Sequence, residues 1–159
     1  MGAFTKTLSE FAALVEKLPA RCEHAVIRAL QDTALEGVGI VVSEIDATKS
    51  VYNGDLRRSV RAELTPRGAV LRVDAPHAAV VEYGRRADRK PPPTAPIALW
   101  AVRKLGLSPK EAESVAWAIA HKIGKKGIKP KKFFARALRR IRARLDVNVR
   151  RALDSELAK

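Results

Sequence analysis

Cysteine is nearly absent from this chain: Cys22 stands alone among 159 residues. A single thiol excludes any disulfide within the chain, and it excludes zinc sites built on cysteine pairs. Aromatic residues are scarce too, at four Phe, two Tyr and two Trp, which argues against a platform on which bases stack. No apolar run approaches the roughly 20 residues that span a bilayer. The opening "MGAFTKTLSEF" has neither the basic head nor the apolar stretch of a secretory signal, so a soluble protein made in the cytoplasm is expected. His24, His77 and His121 stand far apart and offer no convergent metal-ligand pair. Neither a phosphate-binding Walker loop nor a Gly-x-Ser-x-Gly nucleophile elbow occurs. Asp74 and Glu82 make a nuclease-like carboxylate pair, but Gly84 stands where such a site wants a lysine. The expectation is a protein without catalytic residues, metal or cofactor.

Positive charge is what the chain has in excess. Its 31 Lys and Arg face 17 Asp and Glu, for a net charge of +14. Polyanions and acidic protein surfaces suit such a balance. Residues 122–159 hold 14 of the basic residues against 3 acids. Nearly all the excess therefore lies on the C-terminal segment.

Hydrophobic periodicity predicts a single α+β domain over residues 1–159, with N-terminal helices (1–46), a hairpin and loop region (47–90) and a helical region (91–159). Phe4, Leu8, Phe11, Val15 and Leu18 fall at helical spacing, and Pro19 is expected to end that helix and open another. The second helix runs from Ala20 to about Ile45, with Gly37 and Gly39 weakening it by roughly 1 kcal/mol each unless they serve close packing or a bend. In "YNGDLRRS", Asn53 is placed to cap a short helical turn. Val60, Ala62 and Leu64, then Ala69, Leu71 and Val73, alternate around "TPRG" and predict a hairpin over residues 59–74. "RRADRKPPPTAP" is too proline-rich for a helix or a central strand. A helix is expected over residues 95–105. "SPKE", Ser108 to Glu111, is a capping box for a further helix whose apolar face is Ala112, Val115, Ala116, Ile119 and Ile123. Trp117 sits at the edge of that face, and Gly124 is the expected stop. Pro130 opens the last helix, which carries an apolar stripe of Phe134, Leu138, Ile141, Leu145, Val149 and Leu153. At about 40 Å it is longer than a domain of this size needs, so part of it is expected to meet a neighbour.

Two basic features invite a nucleic-acid reading. "IGKKGIK", Ile123 to Lys129, carries Gly-x-x-Gly between helices and resembles the phosphate-gripping loop of KH modules; the plainer reading is a solvated turn. Arg136, Arg140 and Arg144 line one side of the last helix at four-residue spacing. With Lys125 and Lys126 they are the possible polyanion-binding residues, although a core-packed helix with a solvated face gives the same pattern.

Three segments in order give a further resemblance: "NGDLRRS" (53–59), "APHAAVVEYGRR" (75–86) and "KKFFARAL" (131–138). Together they resemble the neck or tail-completion family of long-tailed bacteriophages. Its members show Thr-Gly-x-Leu-x-x-Ser, a hairpin, then Ala-Pro-Tyr-Ala and Val-Glu-Phe/Tyr-Gly-Thr. A proline-bearing loop and Pro-Phe-Leu/Phe entering a last helix follow. Gly54, Leu56, Ser59, Ala75, Pro76, Ala78, Val81, Glu82, Tyr83, Gly84, Phe133, Phe134, Ala137 and Leu138 match. Asn53, His77, Arg85 and Lys132 depart, standing for Thr, Tyr, Thr and Pro. The resemblance covers about residues 50–140, and a related family of contractile-tailed phages shares its plan. It implies a non-enzymatic α+β protein of the virion's head–tail junction, made in the host bacterial cytoplasm and acting as a ring of identical subunits. Connector or adaptor, tail-terminator and tail-tube proteins would be its partners, with packaged DNA passing through the channel. On this reading Glu82, Tyr83, Arg85, Arg86, Pro91, Pro92, Trp117, Phe133 and Phe134 are the expected interface residues. The alternative is a basic nucleic-acid-binding module using the Gly-Lys-Lys-Gly loop and the Arg-rich final helix.

Overall fold

A computed structural model of the chain describes residues 8–48 and 54–158. Phe4, Tyr52 and Asn53, and the side chains of Leu8, Phe11 and Val15, lie outside what it describes. The elements are α1 (Leu8–Ala47), α2 (Asp55–Arg58), β1 (Val60–Thr65), β2 (Gly68–Val73), α3 (Ala78–Tyr83), α4 (Ala95–Leu105), α5 (Pro109–Lys126) and α6 (Phe133–Leu157). The class is α+β: helices dominate, and β1 and β2 form a two-stranded antiparallel sheet. Among the described residues no helix is long and apolar enough to cross a membrane.

Pro19 does not break the first helix, contrary to expectation. α1 runs through it for 40 residues. An interior proline removes one backbone hydrogen bond and crowds the carbonyl four residues earlier. Pro19 is exposed, so water can take the freed carbonyl. The helix then continues because its buried line continues: Ala25, Ala29, Thr33, Gly37, Val41 and Ile45 are all buried at four-residue spacing. Residues four apart are about 40° out of phase, so this line winds around the helix rather than marking one face.

The described chain divides into two compact units, one made of the residues up to Val41 with Arg61–Arg72 and those from Ala137 on, the other of Val42–Val60 and Val73–Arg136. In the first unit, α1 and α6 run antiparallel. Gly37 permits their close approach, since a Cβ there would lie 3.3 Å from both Ile141 Cδ1 and Leu71 Cδ2. A Cβ on Gly39 would meet no other part of the chain within 4 Å, so the two glycines expected to act alike do not. A polar pair fixes the helices' register: the Asn148 amide donates to Thr33 Oγ1 at 3.0 Å, and that hydroxyl donates to the Ala29 carbonyl at 2.6 Å. Near the end of α6, buried Glu156 accepts from Arg28 at 2.8 Å and from Arg21 at 3.3 Å. Arg144 pairs with Glu36 at 2.9 Å. The predicted hairpin is present, with its turn at Pro66 and Arg67.

In the second unit, α4 and α5 pack as a helical hairpin joined through Gly106, whose φ of 68° suits glycine. At the start of α5 the Glu111 carboxylate accepts from the Ser108 N–H at 2.9 Å and from its hydroxyl at 2.6 Å. Ala112, Ala116, Ala120 and Gly124 form the buried line of α5, while Val115, Ile119 and Ile123 are half-buried. Gly124 is not the stop. The helix continues to Lys126 and ends at Gly127, with φ 68°. The last helix also starts later than Pro130, at Phe133. Its stripe is rotated by one residue at the start: Phe133 and Ala137 are buried, Phe134 is half-buried, and Leu138 is 37% exposed.

Candidate functional site

The three segments that carry the family resemblance are each built into the second unit, apart from the last two residues of the third. In the first, Gly54 takes a left-handed φ of 71°, Leu56 is 4% exposed, and the Ser59 hydroxyl donates to the Leu56 carbonyl at 2.8 Å. The Ser59 carbonyl in turn accepts the Asp74 N–H at 3.1 Å, which closes the base of the hairpin. The second segment forms α3, a six-residue helix ended by Gly84.

Glu82 is the central residue of that segment, and its carboxylate points inward. It is 7% exposed. It accepts the Phe134 N–H at 2.8 Å and the Ala135 N–H at 3.1 Å. These are orphan donors of the first turn of α6. A capping residue normally supplies their acceptor, but the position is held by Lys132, which has none. A carboxylate also suits the positive end of the helix dipole. Backbone bonds reinforce the clamp: Lys131 N–H donates to the Val81 carbonyl at 2.9 Å and Lys132 N–H to the Glu82 carbonyl at 3.1 Å. Those bonds, with Lys132 at φ 50°, explain why the helix waits until Phe133. Arg136 is anchored beside them by a 2.8 Å ion pair with Glu44. Glu82 is thus neither a solvated neighbour of Tyr83 nor an outward-facing group.

Tyr83 is the opposite case, at 79% exposure. It borders a shallow apolar pocket of about 200 Å³ with Val73, Ala78, Ala79, Phe133 and Phe134. Phe133 fills the core side at 1% exposure and meets Phe134 edge-on, ring centres 6.5 Å apart. Trp117 is 59% exposed and stacks on His121 at 4.3 Å. Leu99 and Leu105 of α4 are also more than half exposed.

Gly84 begins a strap, residues 84–93, that lies against the end of α5. Arg85 and Ile128 form an antiparallel bridge with N–H···O distances of 2.9 and 2.8 Å. Arg89 N–H donates to the Gly124 carbonyl at 3.0 Å. Three glycines make the approach possible. A Cβ on Gly84 would stand 2.3 Å from the Ile128 carbonyl oxygen, one on Gly127 would stand 2.2 Å from that of Arg85, and one on Gly124 would stand 2.9 Å from that of Arg89. Both glycines of Gly-Lys-Lys-Gly therefore face the strap, and the Gly127 N–H is taken by the Ile123 carbonyl at 2.8 Å. The half-buried Arg85 closes the strap by donating to the Lys90 carbonyl. Pro91 packs on Gly124, and Pro92 is half-buried.

Of the expected interface residues, the structure gathers Glu82, Tyr83, Phe133 and Phe134 at one place and Arg85, Pro91 and Pro92 at another. Arg86 is exposed on the strap, and Trp117 pairs with His121 instead. Of the expected polyanion-binding residues, Lys125 and Lys126 are exposed on the last turn of α5. Arg136 and Arg144 face carboxylates, and Arg140 is exposed on α6 in the first unit. Sequence reasoning missed Arg89, Lys90 and Lys129, which the strap brings beside Lys125 and Lys126. Repeated close-packing glycines at 84, 124 and 127 are the signal that links the two segments. No group of three metal-ligating side chains occurs among the described residues. No known family, characterised protein or solved structure matches this chain.

Proposed function

We propose that this protein is a non-enzymatic virion component of the head–tail junction of a tailed bacteriophage, one subunit of a ring that completes the tail end or joins it to the head connector. One observation carries the reading: the second and third of the resembling segments interlock at Glu82, whose carboxylate from the one caps the helix opened by the other. Exposed apolar groups in the same unit, Tyr83, Leu99, Leu105 and Trp117, support it as side chains a neighbouring subunit would cover. A closed ring needs heterologous contacts, a patch on one subunit meeting a different patch on the next. The apolar groups offer such patches, and neighbouring acidic rings would suit the exposed arginines of α6.

Mass measurement of the purified chain, alone and mixed with connector and tail-tube proteins, tests this. The expected outcome is a discrete multi-subunit assembly under at least one of these conditions. A chain that stays monomeric in all of them would overturn the proposal.

A further inference from the structure

Beyond the ring reading and independent of it, we propose that the strap and the end of α5 together form a binding surface for the phosphate backbone of double-stranded DNA. Arg86, Arg89 and Lys90 of the strap and Lys125, Lys126 and Lys129 after Gly124 are all exposed. About forty residues of sequence separate the two groups. The Arg85–Ile128 bridge and the bonds from Asp88 N–H to the Lys125 carbonyl (3.4 Å) and from Arg89 N–H to the Gly124 carbonyl (3.0 Å) hold them side by side. None of the six cations has an ion-pair partner among the described residues. Elsewhere the carboxylates of Glu36, Glu44, Asp46, Asp55, Glu63 and Glu156 are matched to arginines 21, 28, 57, 58, 72, 136 and 144. Asp88 is the only acid in the strap.

The chemistry of the surface selects the partner. Protein interfaces are built around an apolar centre and are depleted in lysine. This surface has four lysines, and within residues 84–93 and 124–130 no large apolar side chain is exposed, the uncharged exposed residues there being Ala87, Pro91, Pro93 and Pro130. Residues 84–93 and 124–130 contain no aromatic side chain on which an unpaired base could stack, and the exposed Trp117, earlier on α5, already stacks on His121, which favours a duplex over a single strand. Lysine and arginine contacts to phosphate position a protein on DNA without reading its sequence. The backbone that carries them is already fixed by hydrogen bonds and by three consecutive prolines, so little ordering is left to oppose binding. The glycines of Gly-Lys-Lys-Gly face inward, so the lysine side chains would meet the phosphates and the loop amides would not.

Fluorescence anisotropy with the full chain and roughly two helical turns of mixed-sequence duplex DNA tests the proposal. Binding should weaken linearly on a log–log plot against salt. Reversing four cations, R89E/K90E/K125E/K126E, should lower affinity by at least about tenfold and flatten the salt slope by about 3 to 4, since each phosphate contact contributes about 0.9. The matched variant R139E/R142E/R150E/R151E makes the same change of net charge at exposed positions of α6, and it should keep affinity within about threefold if charge placement rather than net charge governs binding. Circular dichroism verifies helicity in both. Should charge reversal disturb the fold, R89A/K90A/K125A/K126A replaces it under the same criterion. Equal losses in the two matched variants would reduce the effect to bulk attraction and overturn the proposal. A single strand bound as tightly as the duplex, or poly-glutamate competing better than DNA, would overturn it as well.

Discussion

Glu82 does for α6 what Lys132 cannot, because it brings an acceptor to the N–H groups of Phe134 and Ala135 from 52 and 53 positions away in sequence. Truncating it would leave two donors of a partly buried helix start without a partner. A buried donor stranded in this way costs about 1–3 kcal/mol. Glu82→Ala is therefore expected to lower stability by about 2 kcal/mol in urea denaturation. Glu82→Gln should recover part of that loss, since its amide oxygen still accepts. A change of less than about 0.5 kcal/mol for the alanine variant would show that solvent replaces the cap. The sequence suggested that Glu82 and Tyr83 faced a neighbour together. A six-residue helix is too short for periodicity to set its phase, so adjacent residues could not be assigned to opposite sides. The readable hint lay elsewhere: a helix preceded by Lys131 and Lys132 has no capping residue of its own, so its acceptor must come from another part of the chain.

At the scale of the element, the hairpin and α4 were legible nearly to the residue, because alternation and "TPRG" mark the first and Ile97, Leu99, Trp100, Val102 and Leu105 mark the second. α1 and the end of α5 were not. Pro19 reads as a break only if its surroundings are ignored, whereas the four-residue buried line carries α1 past it. Gly124 reads as a stop until the strap that packs on it is known, and that contact lies more than thirty residues away. The capping box was legible and has a consequence for pH. The hydrogen bond from the Ser108 hydroxyl, and then the one from its N–H, hold the Glu111 carboxyl below its ordinary range. A carboxyl depressed in the folded state stabilises the fold above its unfolded value of about 4.3 and loses that contribution as pH falls through the folded value. Amide exchange in the first turn of α5 should therefore accelerate as pH is lowered through that range, once the intrinsic pH dependence of exchange is removed. Glu111→Gln should abolish this component. An unchanged profile in the variant would assign the effect to another group.

For the molecule as a whole, charge and apolar exposure are distributed by different rules. The excess of positive charge was visible in composition, but its availability was not, because only the fold reveals which arginines already face carboxylates. Exposed apolar groups were even harder to foresee: Trp117 was placed at a stripe's edge, yet more than half of it meets solvent. If it belongs to a subunit contact, Trp117→Ala should shift the mass distribution towards monomer by about tenfold or more in dissociation constant, as central aromatic anchors do. Its melting temperature as a monomer should be nearly unchanged, since the residue is exposed. Full assembly of the variant would remove Trp117 from the contact. The strap has a different implication, for how this surface can change over generations. Main-chain groups and three bare α-carbons hold it down, so its outward side chains carry little responsibility for keeping it there. Such a segment can be rewritten, cation by cation, to suit a new counterpart while its track stays in place.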